Sequence, residues 1–497
     1  MNIKHRYVWR PLLWPEMIRR WFRSDALWAA ATAAALLAAP AARAQENAPI
    51  QKPSNDPEVF LREPPKPPSV KDGFTLVAVG DMLYSHPQAN NPDPKLQKMV
   101  DIIRSADVAV SNQEGVFIDL KTFKGAAYGD GQLWGEGTLA RDMKAMGLDI
   151  VSVANNHSTD FGFEGLLESM ELLDEAGVAH AGGGRNLEEA RRASFVNTPK
   201  GRVAMVATAS TFKANARADD AFGETNARPG ISTLRLRKVN IVTPDQFGAI
   251  RKLATERASP LHPAPAANAT EITFGEEVYK VGTGDPLNYE MELYDHAGLL
   301  KAVRDAKAQS DLTVFTIHAH ESTTGLDDET PAPPGFLKRL FHDVVNAGAD
   351  VVVGGGPHSL RGIEIYKGRP VFYGIGAFFL TGESKTLQET ALRAFPDPKT
   401  GKAPAPRPAE KSVRPGGNPA SWYDGMVAAV DYSDGRAVEV RIYPLDLGNT
   451  YDLSRRGIPH LADPATARRI LGNLQRWSKP FGTRIDIEGS VGIIRIP

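Results

Sequence analysis

From residue 75 onward, short β-branched apolar runs alternate with helix-length amphipathic segments. Runs at 75–79, 107–110, 149–153, 203–208, 312–317, 350–353 and 370–373 are too short for helices and are bounded by Gly, Asp, Asn or Pro, which predicts buried strands. Between them, residues 165–176 (GLLESMELLDEA) and 334–347 (PGFLKRLFHDVVNA) repeat apolar side chains at helical spacing. Strands alternating with helices predict an α/β fold. Later strands at 426–432 and 438–443 flank Ser433-Asp434-Gly435-Arg436, a hairpin turn signal. The chain then reads as a helix at 464–477 and a last hairpin at 483–496 turning at Gly489, an extension over 451–497. Two segments within the main domain (73–450) break the rhythm: 235–290 and 385–421. The second contains FPDPKTGKAPAPRPAEKSVRPGGNP and is expected to be a surface insertion with too few apolar side chains to order itself. There is no internal repeat.

The first 72 residues follow a different pattern. Residues 1–25 are basic, an Ala/Leu-rich run extends to Ala39, Pro40 breaks it, and Ala42-Arg43-Ala44 places small residues where a signal peptidase reads. Residues 1–44 are thus expected to be a cleavable signal peptide, with the product in the periplasm or outside the cell. Arg19-Arg20-Trp21-Phe22 points to twin-arginine export. The alternative is an uncleaved membrane anchor, against which stand the shortness of the run and its alanine content. Residues 45–72 are Pro-rich and read as a tether.

Composition narrows the chemistry. With 497 residues the chain is long enough for a large core, and without a single cysteine it excludes disulfides, thiolate zinc sites, a cysteine nucleophile and lipoprotein acylation. Residues 1–44 hold seven Lys/Arg against two Asp/Glu, which leaves 51 basic and 57 acidic groups in the remainder. A net charge near −6 is not the basic surface that nucleic-acid binding uses, so no nucleic-acid partner is expected.

Metal-ligand residue types follow several of the predicted strands. LVAVGD ends in Asp81, VAVSNQE in Glu114, VSVANNH in Asn156 and His157, VFTIHAHE carries His318 and His320, and VVVGGGPH ends in His358. The carboxyl ends of parallel strands converge on one crevice. Carboxylate oxygen, imidazole nitrogen and an amide oxygen form a donor set for Zn, Mn or Fe. Taken singly, each residue has a plainer reading: Asp81 as a helix cap, Asn155-Asn156 as a turn, a lone buried His as a core residue. Their recurrence after five separate strands favours a site.

These segments resemble a known family. GDML at 80–83, NQEG at 112–115, ANNHSTDFGFEGL at 154–166, AGGGRNLEEA at 181–190, HAHE at 318–321 and GADVVVGGGPHSLRGIEIYKGRPVFYGIGAFF at 348–379 are similar to the bacterial capsule-synthesis CapA family, which is associated with poly-γ-glutamate production and is itself similar to calcineurin-type metallophosphoesterases. The resemblance covers about residues 74–380 and implies a four-layer α/β/β/α sandwich around one or two divalent ions. It implies Asp81, Glu114, Asn156, His318 and His358 as metal ligands, His157 as the group acting at the leaving group, and Asp160 as the residue that orients it. Gly355 stands where relatives commonly have His, and Ala377 where they have Asn. His320 is a candidate further ligand.

Two functions follow as expectations. One is a metal-dependent hydrolase of the envelope acting on an anionic polymer or phosphoester. The other is a non-catalytic accessory protein of the envelope machinery for polymer synthesis and export. N-terminal sequencing of the envelope fraction is expected to read Gln45 first; a full-length membrane species as the sole product would refute the cleavage site.

Overall fold

Residue alternation along one strand sets the architecture. In Phe74–Leu83, Leu76 and Ala78 enter one apolar cluster while Val77 and Val79 enter another, so the strand is buried on both faces. The same holds for Gly201–Ala209, where Val203 and Met205 face one cluster and Ala204 and Val206 another. This is why these strands read as continuous apolar runs. The computed structural model describes residues 56–62, 65–119, 121–126, 133–325, 330–381, 418–452 and 455–497.

The fold is mixed α/β, with several sheets and helices. A ten-stranded sheet is centred on Phe74–Leu83, which runs parallel to Val108–Glu114 and, beyond it, to Ile150–Ser152 and Ala179–Ala181. On its other side the first half of Phe74–Leu83 pairs with the hairpin Asp424–Ser433/Arg436–Asp446, and its second half with Ala377–Leu380. A six-stranded sheet places Leu312–His318 parallel to both Gly201–Ala209 and Val351–Gly355. One apolar cluster draws on both sheets, uniting Leu76 and Val108 with Val203, Val314 and Val351. A second covers the far side of the first sheet with the helices Pro94–Arg104, Thr138–Ala145 and Gly162–Ala176. A third covers the far side of the second sheet with Leu293–Ala308 and Gly335–Ala347.

Residues 235–290 are not irregular. Leu236–Val242, Glu271–Phe274, Glu277–Val281 and Leu287–Met291 form a four-stranded sheet, and helix Pro244–Glu256 starts with a Thr243/Gln246 capping box. Phe247, Ala254 and Ile272 make a small core there. Long apolar runs are missing because much of this sheet faces solvent and carries ion pairs such as Arg237–Glu271 and Lys238–Glu277.

Of the expected tether at 45–72, residues 45–55, 63 and 64 lie outside the described residues, and the described part is docked. Phe60 and Leu61 pack against the core of the six-stranded sheet, Arg304 Nε donates to the Phe60 carbonyl at 2.8 Å, and Val70 is buried between the sheets. A few apolar residues among the prolines are enough to dock its described part. At the other end, Val491–Arg495 pairs with Arg436–Asp446, so part of the 451–497 extension belongs to the large sheet. The expected signal peptide lies outside the described residues, as does the 385–421 insertion apart from its last four positions. Among the described residues no helix is long and apolar enough to cross a membrane.

Phe74–Leu83 changes partner next to Gly80, whose Cα faces the Gly376 carbonyl so closely that a Cβ would sit 1.9 Å from that oxygen. Gly80→Ala is expected to cost about 1–3 kcal/mol as an overpacked site. Denaturant unfolding of the variant measures this, and unchanged stability would refute the close approach.

Candidate metal centre

The carboxyl ends of the two sheets face each other, and the polar residues of the sequence pattern come from both. Asp81 lies in Phe74–Leu83 and Glu114 ends Val108–Glu114, whereas His318 ends Leu312–His318 and His358 follows Val351–Gly355. All four are buried. Asp81 Oδ1 accepts from Asn112 Nδ2 at 2.9 Å; its Oδ2 accepts from the Gly356 N–H at 2.8 Å and lies 3.2 Å from His358 Nδ1. Asn112 Nδ2 also lies 3.2 Å from His318 Nδ1, bridging the sheets. Glu114 Oε1 lies 3.6 Å from His358 Nε2 and 3.9 Å from His318 Nε2. His358 has φ 53°, a left-handed conformation uncommon for a side chain of its size. Such backbone strain collects at functional sites.

The electrostatics fit ligands that stay deprotonated. Burial alone would raise the Asp81 carboxyl. The His358 hydrogen bond, the charges of His318 and His358 and the Gly356 N–H outweigh it and hold the group well below the ordinary carboxylate range. Burial, reinforced by the neighbouring His320, pushes the His318 imidazole well below its usual value against the pull of Asp81. A neutral imidazole is the form that ligates metal.

The Asn155–Asp160 loop divides its labour. Asn155 is structural: its Nδ2 donates to the Gln113 carbonyl at 2.8 Å, beside Glu114, and its Oδ1 accepts the His157 N–H at 3.0 Å. Neither Asn155 nor Asn156 has a positive φ, so the left-handed turn conformation is not what this pair supplies. The Oδ1 of Asn156 is buried and has no hydrogen-bond partner among the described residues. His157 Nδ1 lies 2.8 Å from Asp160 Oδ2, and its side chain is 21% exposed while that of Asp160 is wholly buried. The other Asp160 oxygen bonds to Lys213 Nζ.

These residues suit a divalent cation. Two overlapping groups bring their ligand atoms within 4.8 Å of one another: Asp81, Glu114 and His318, and Glu114, His320 and His358. Donors about 2.1 Å from one tetrahedral ion stand roughly 3.4 Å apart, so ligand atoms spaced up to 4.8 Å would draw together around one. The lone Asn156 oxygen is an acceptor that a cation would satisfy. At Gly355 a Cβ would fall 2.5 Å from Asp81 Oδ1, so no side chain fits there as the chain stands.

Three contributors escaped the sequence pattern. Asn112 was legible in principle, since it lies two residues before Glu114 on the same face of its strand. Lys213 comes from a loop with no motif. Trp422 follows the Pro-rich insertion and meets the His358 ring edge-on at 4.6 Å between centroids.

The depressed pKa values have a signed consequence. A group whose folded pKa lies below its unfolded one contributes stability that is complete above the unfolded value and lost as pH falls. For His318 the loss sets in below 6.5, whereas for Asp81 it starts only below 3.8. In metal-free buffer the protein is expected to lose stability below pH 6.5, at up to about 1.4 kcal/mol per pH unit from this group. His318→Asn should flatten that part of the curve; an unchanged slope assigns the effect elsewhere.

Comparison with known proteins places the chain. The protein y4sH of Sinorhizobium fredii is 37% identical over 444 residues, covering 86% of this chain and 94% of that protein. The capsule biosynthesis protein CapA of Bacillus anthracis is 24% identical over 250 residues, 50% of this chain and 44% of its own length. A probable polyglutamine synthesis accessory protein of Mycobacterium tuberculosis is 24% identical over 227 residues, 46% of this chain and 44% of its own. The family described as bacterial capsule synthesis protein PGA_cap matches residues 75–381, the span that holds Asp81, Glu114, His318 and His358, and the chain belongs to that family.

Proposed function

We propose that the protein is an exported, metal-dependent hydrolase of the cell envelope, acting on a phosphoester or amide bond in capsule or poly-γ-glutamate metabolism. The observation that carries this reading is Glu114, a buried carboxylate shared by two ligand groups whose histidines come from the second sheet. The three apolar clusters support a four-layer α/β/β/α arrangement as its scaffold. The names of the Bacillus and Mycobacterium relatives support the polymer context.

Asp81 and Glu114 would supply the anionic ligands, His318 and His358 the neutral ones, and Asn156 its amide oxygen. A divalent ion of Mn, Zn or Fe held there would supply Lewis acidity and lower the pKa of water. Asp160 fixes one nitrogen of His157, which leaves the other to pass a proton to the departing group. Lys213 on the far oxygen of Asp160 holds that carboxylate in place. The anionic polymer or phosphoester is the substrate partner, with the envelope synthesis machinery as its setting.

The second reading is an accessory protein without turnover, which the name of the Mycobacterium relative favours. Glu114→Gln and His157→Ala separate the two. Glu114→Gln is expected to lower metal content and abolish hydrolysis of a generic phosphodiester. His157→Ala should keep its metal and lose about 10²–10⁴ in rate. Wild-type protein that carries metal but hydrolyses neither phosphodiesters nor γ-glutamyl amides would favour the accessory role. Variants that keep metal and activity but melt earlier would leave both residues merely structural.

A further inference from the structure

We propose that the cavity beside the metal centre, walled by helix Pro464–Ser478 and by residues 420–424 and 446–450, is a subsite for a neutral sugar unit of the substrate. The sugar's place in a substrate rests on the hydrolase reading above, whereas its binding can be measured without turnover.

The cavity begins one residue past His358. Ser359 lines it, with its Oγ 3.1 Å from Ser421 Oγ, and the next residue, Trp422, meets the His358 ring. The enclosed volume is about 440 Å³, the size of a small-molecule pocket. One wall is the helix Pro464–Ser478, which has two working faces. Ala467, Leu471 and Leu474 are buried, whereas Thr466, Arg469, Asn473 and Trp477, three or four residues apart on another stripe, line the cavity. The family match ends at residue 381, so most of this wall lies outside the shared span.

The charges of the wall favour a neutral ligand. Among the described residues that line it, Arg469 is the one cation. Both of its terminal nitrogens bond to the Asp424 carboxylate, Nη2 at 2.7 Å. Asp446 is a second carboxylate, and one of its oxygens accepts from the Gly448 N–H at 2.8 Å. One cation against two carboxylates leaves no spare partner for a phosphate or for the side chains of poly-γ-glutamate, and an anion beside Asp446 would be unpaired. The other polar groups are hydroxyls and amides, from Ser421, Thr450, Thr466, Asn449 and Asn473, which both donate and accept. Asn449 Oδ1 is buried without a hydrogen-bond partner among the described residues, an acceptor that a ligand hydroxyl would satisfy. Leu360, Ile470 and Trp477 give the cavity an apolar side for the C–H face of a pyranose ring. Hydroxyls and amides around an apolar patch complement a sugar better than a polyanion.

Saturation-transfer NMR on metal-free protein tests the subsite. The probes are the neutral methyl glycosides of glucose, galactose, mannose and N-acetylglucosamine, with tri-γ-glutamate as the anionic rival. At least one glycoside is expected to bind, and tri-γ-glutamate is expected not to displace it. Asn473→Ala, on a half-buried helix face, should weaken that glycoside about threefold to tenfold, the worth of one hydrogen bond. Trp477→Leu should weaken it roughly tenfold. Melting curves check that both variants are folded. No glycoside bound by folded wild type would overturn the subsite, and so would binding that both folded variants leave unchanged. Tri-γ-glutamate that displaces the glycoside and loses affinity in the same variants would overturn the neutral class in favour of a polyanion. Glycoside binding by metal-loaded protein that hydrolyses neither phosphodiesters nor γ-glutamyl amides would support the subsite and overturn the hydrolase reading.

Discussion

An ionised carboxylate between two β-sheets is costly unless fixed partners surround it, and Asp81 is such a group, with 1% of its surface exposed. Its partners come from three places: Asn112 on the neighbouring strand, the Gly356 N–H and His358 from the opposite sheet. Much of the surrounding structure serves this arrangement. Phe74–Leu83 exchanges one pairing partner for another just before Asp81, and glycines at 80, 355 and 356 let backbone come close where side chains would collide. The left-handed backbone of His358 turns its ring back toward the carboxylate.

The elements were legible because this core is apolar throughout. Strands with apolar residues on both faces leave an unmistakable run, and the strands expected at 203–208 and 312–317 appear at Gly201–Ala209 and Leu312–His318. That same property hid the partition into two sheets, since a strand buried on both sides does not reveal in its composition what lies across either face. The 235–290 region failed for the converse reason. Its strands present ion-paired faces to solvent, so the period-two signal is faint and Arg237 or Lys238 reads as loop. Docking of the Pro-rich segment turned on Phe60, Leu61 and Val70, too few to register against the prolines.

For the site, residue types at strand ends were informative, and partners contributed by loops were not. Asp81, Glu114, His318 and His358 could be picked out because each closes or follows an apolar run. Asn155 and Asn156 could be picked out as a pair, but their roles could not be told apart. Only the fold shows that Asn155 ties the loop to Gln113 while the Asn156 oxygen is left without a hydrogen bond among the described residues. Lys213 reaches Asp160 across 53 positions of sequence, a separation no local pattern encodes.

Exposure also gives the centre a direction. Asp81, Glu114, His318 and His358 are each no more than 4% exposed, so nothing of substrate size reaches them through the sheets. The His157 side chain, at 21%, is the more accessible member of the constellation. A polymer or phosphoester would then arrive along the Asn155–Asp160 loop, its departing group facing His157 and its reacting centre facing the ligands behind. On the hydrolase reading the partly exposed His157 ring would meet water and substrate, with Asp160 buried behind it. A general acid has to exchange its proton with solvent between turnovers, whereas ligands hold a cation best when water is kept from competing for it. On the hydrolase reading the difference in burial is therefore a functional requirement.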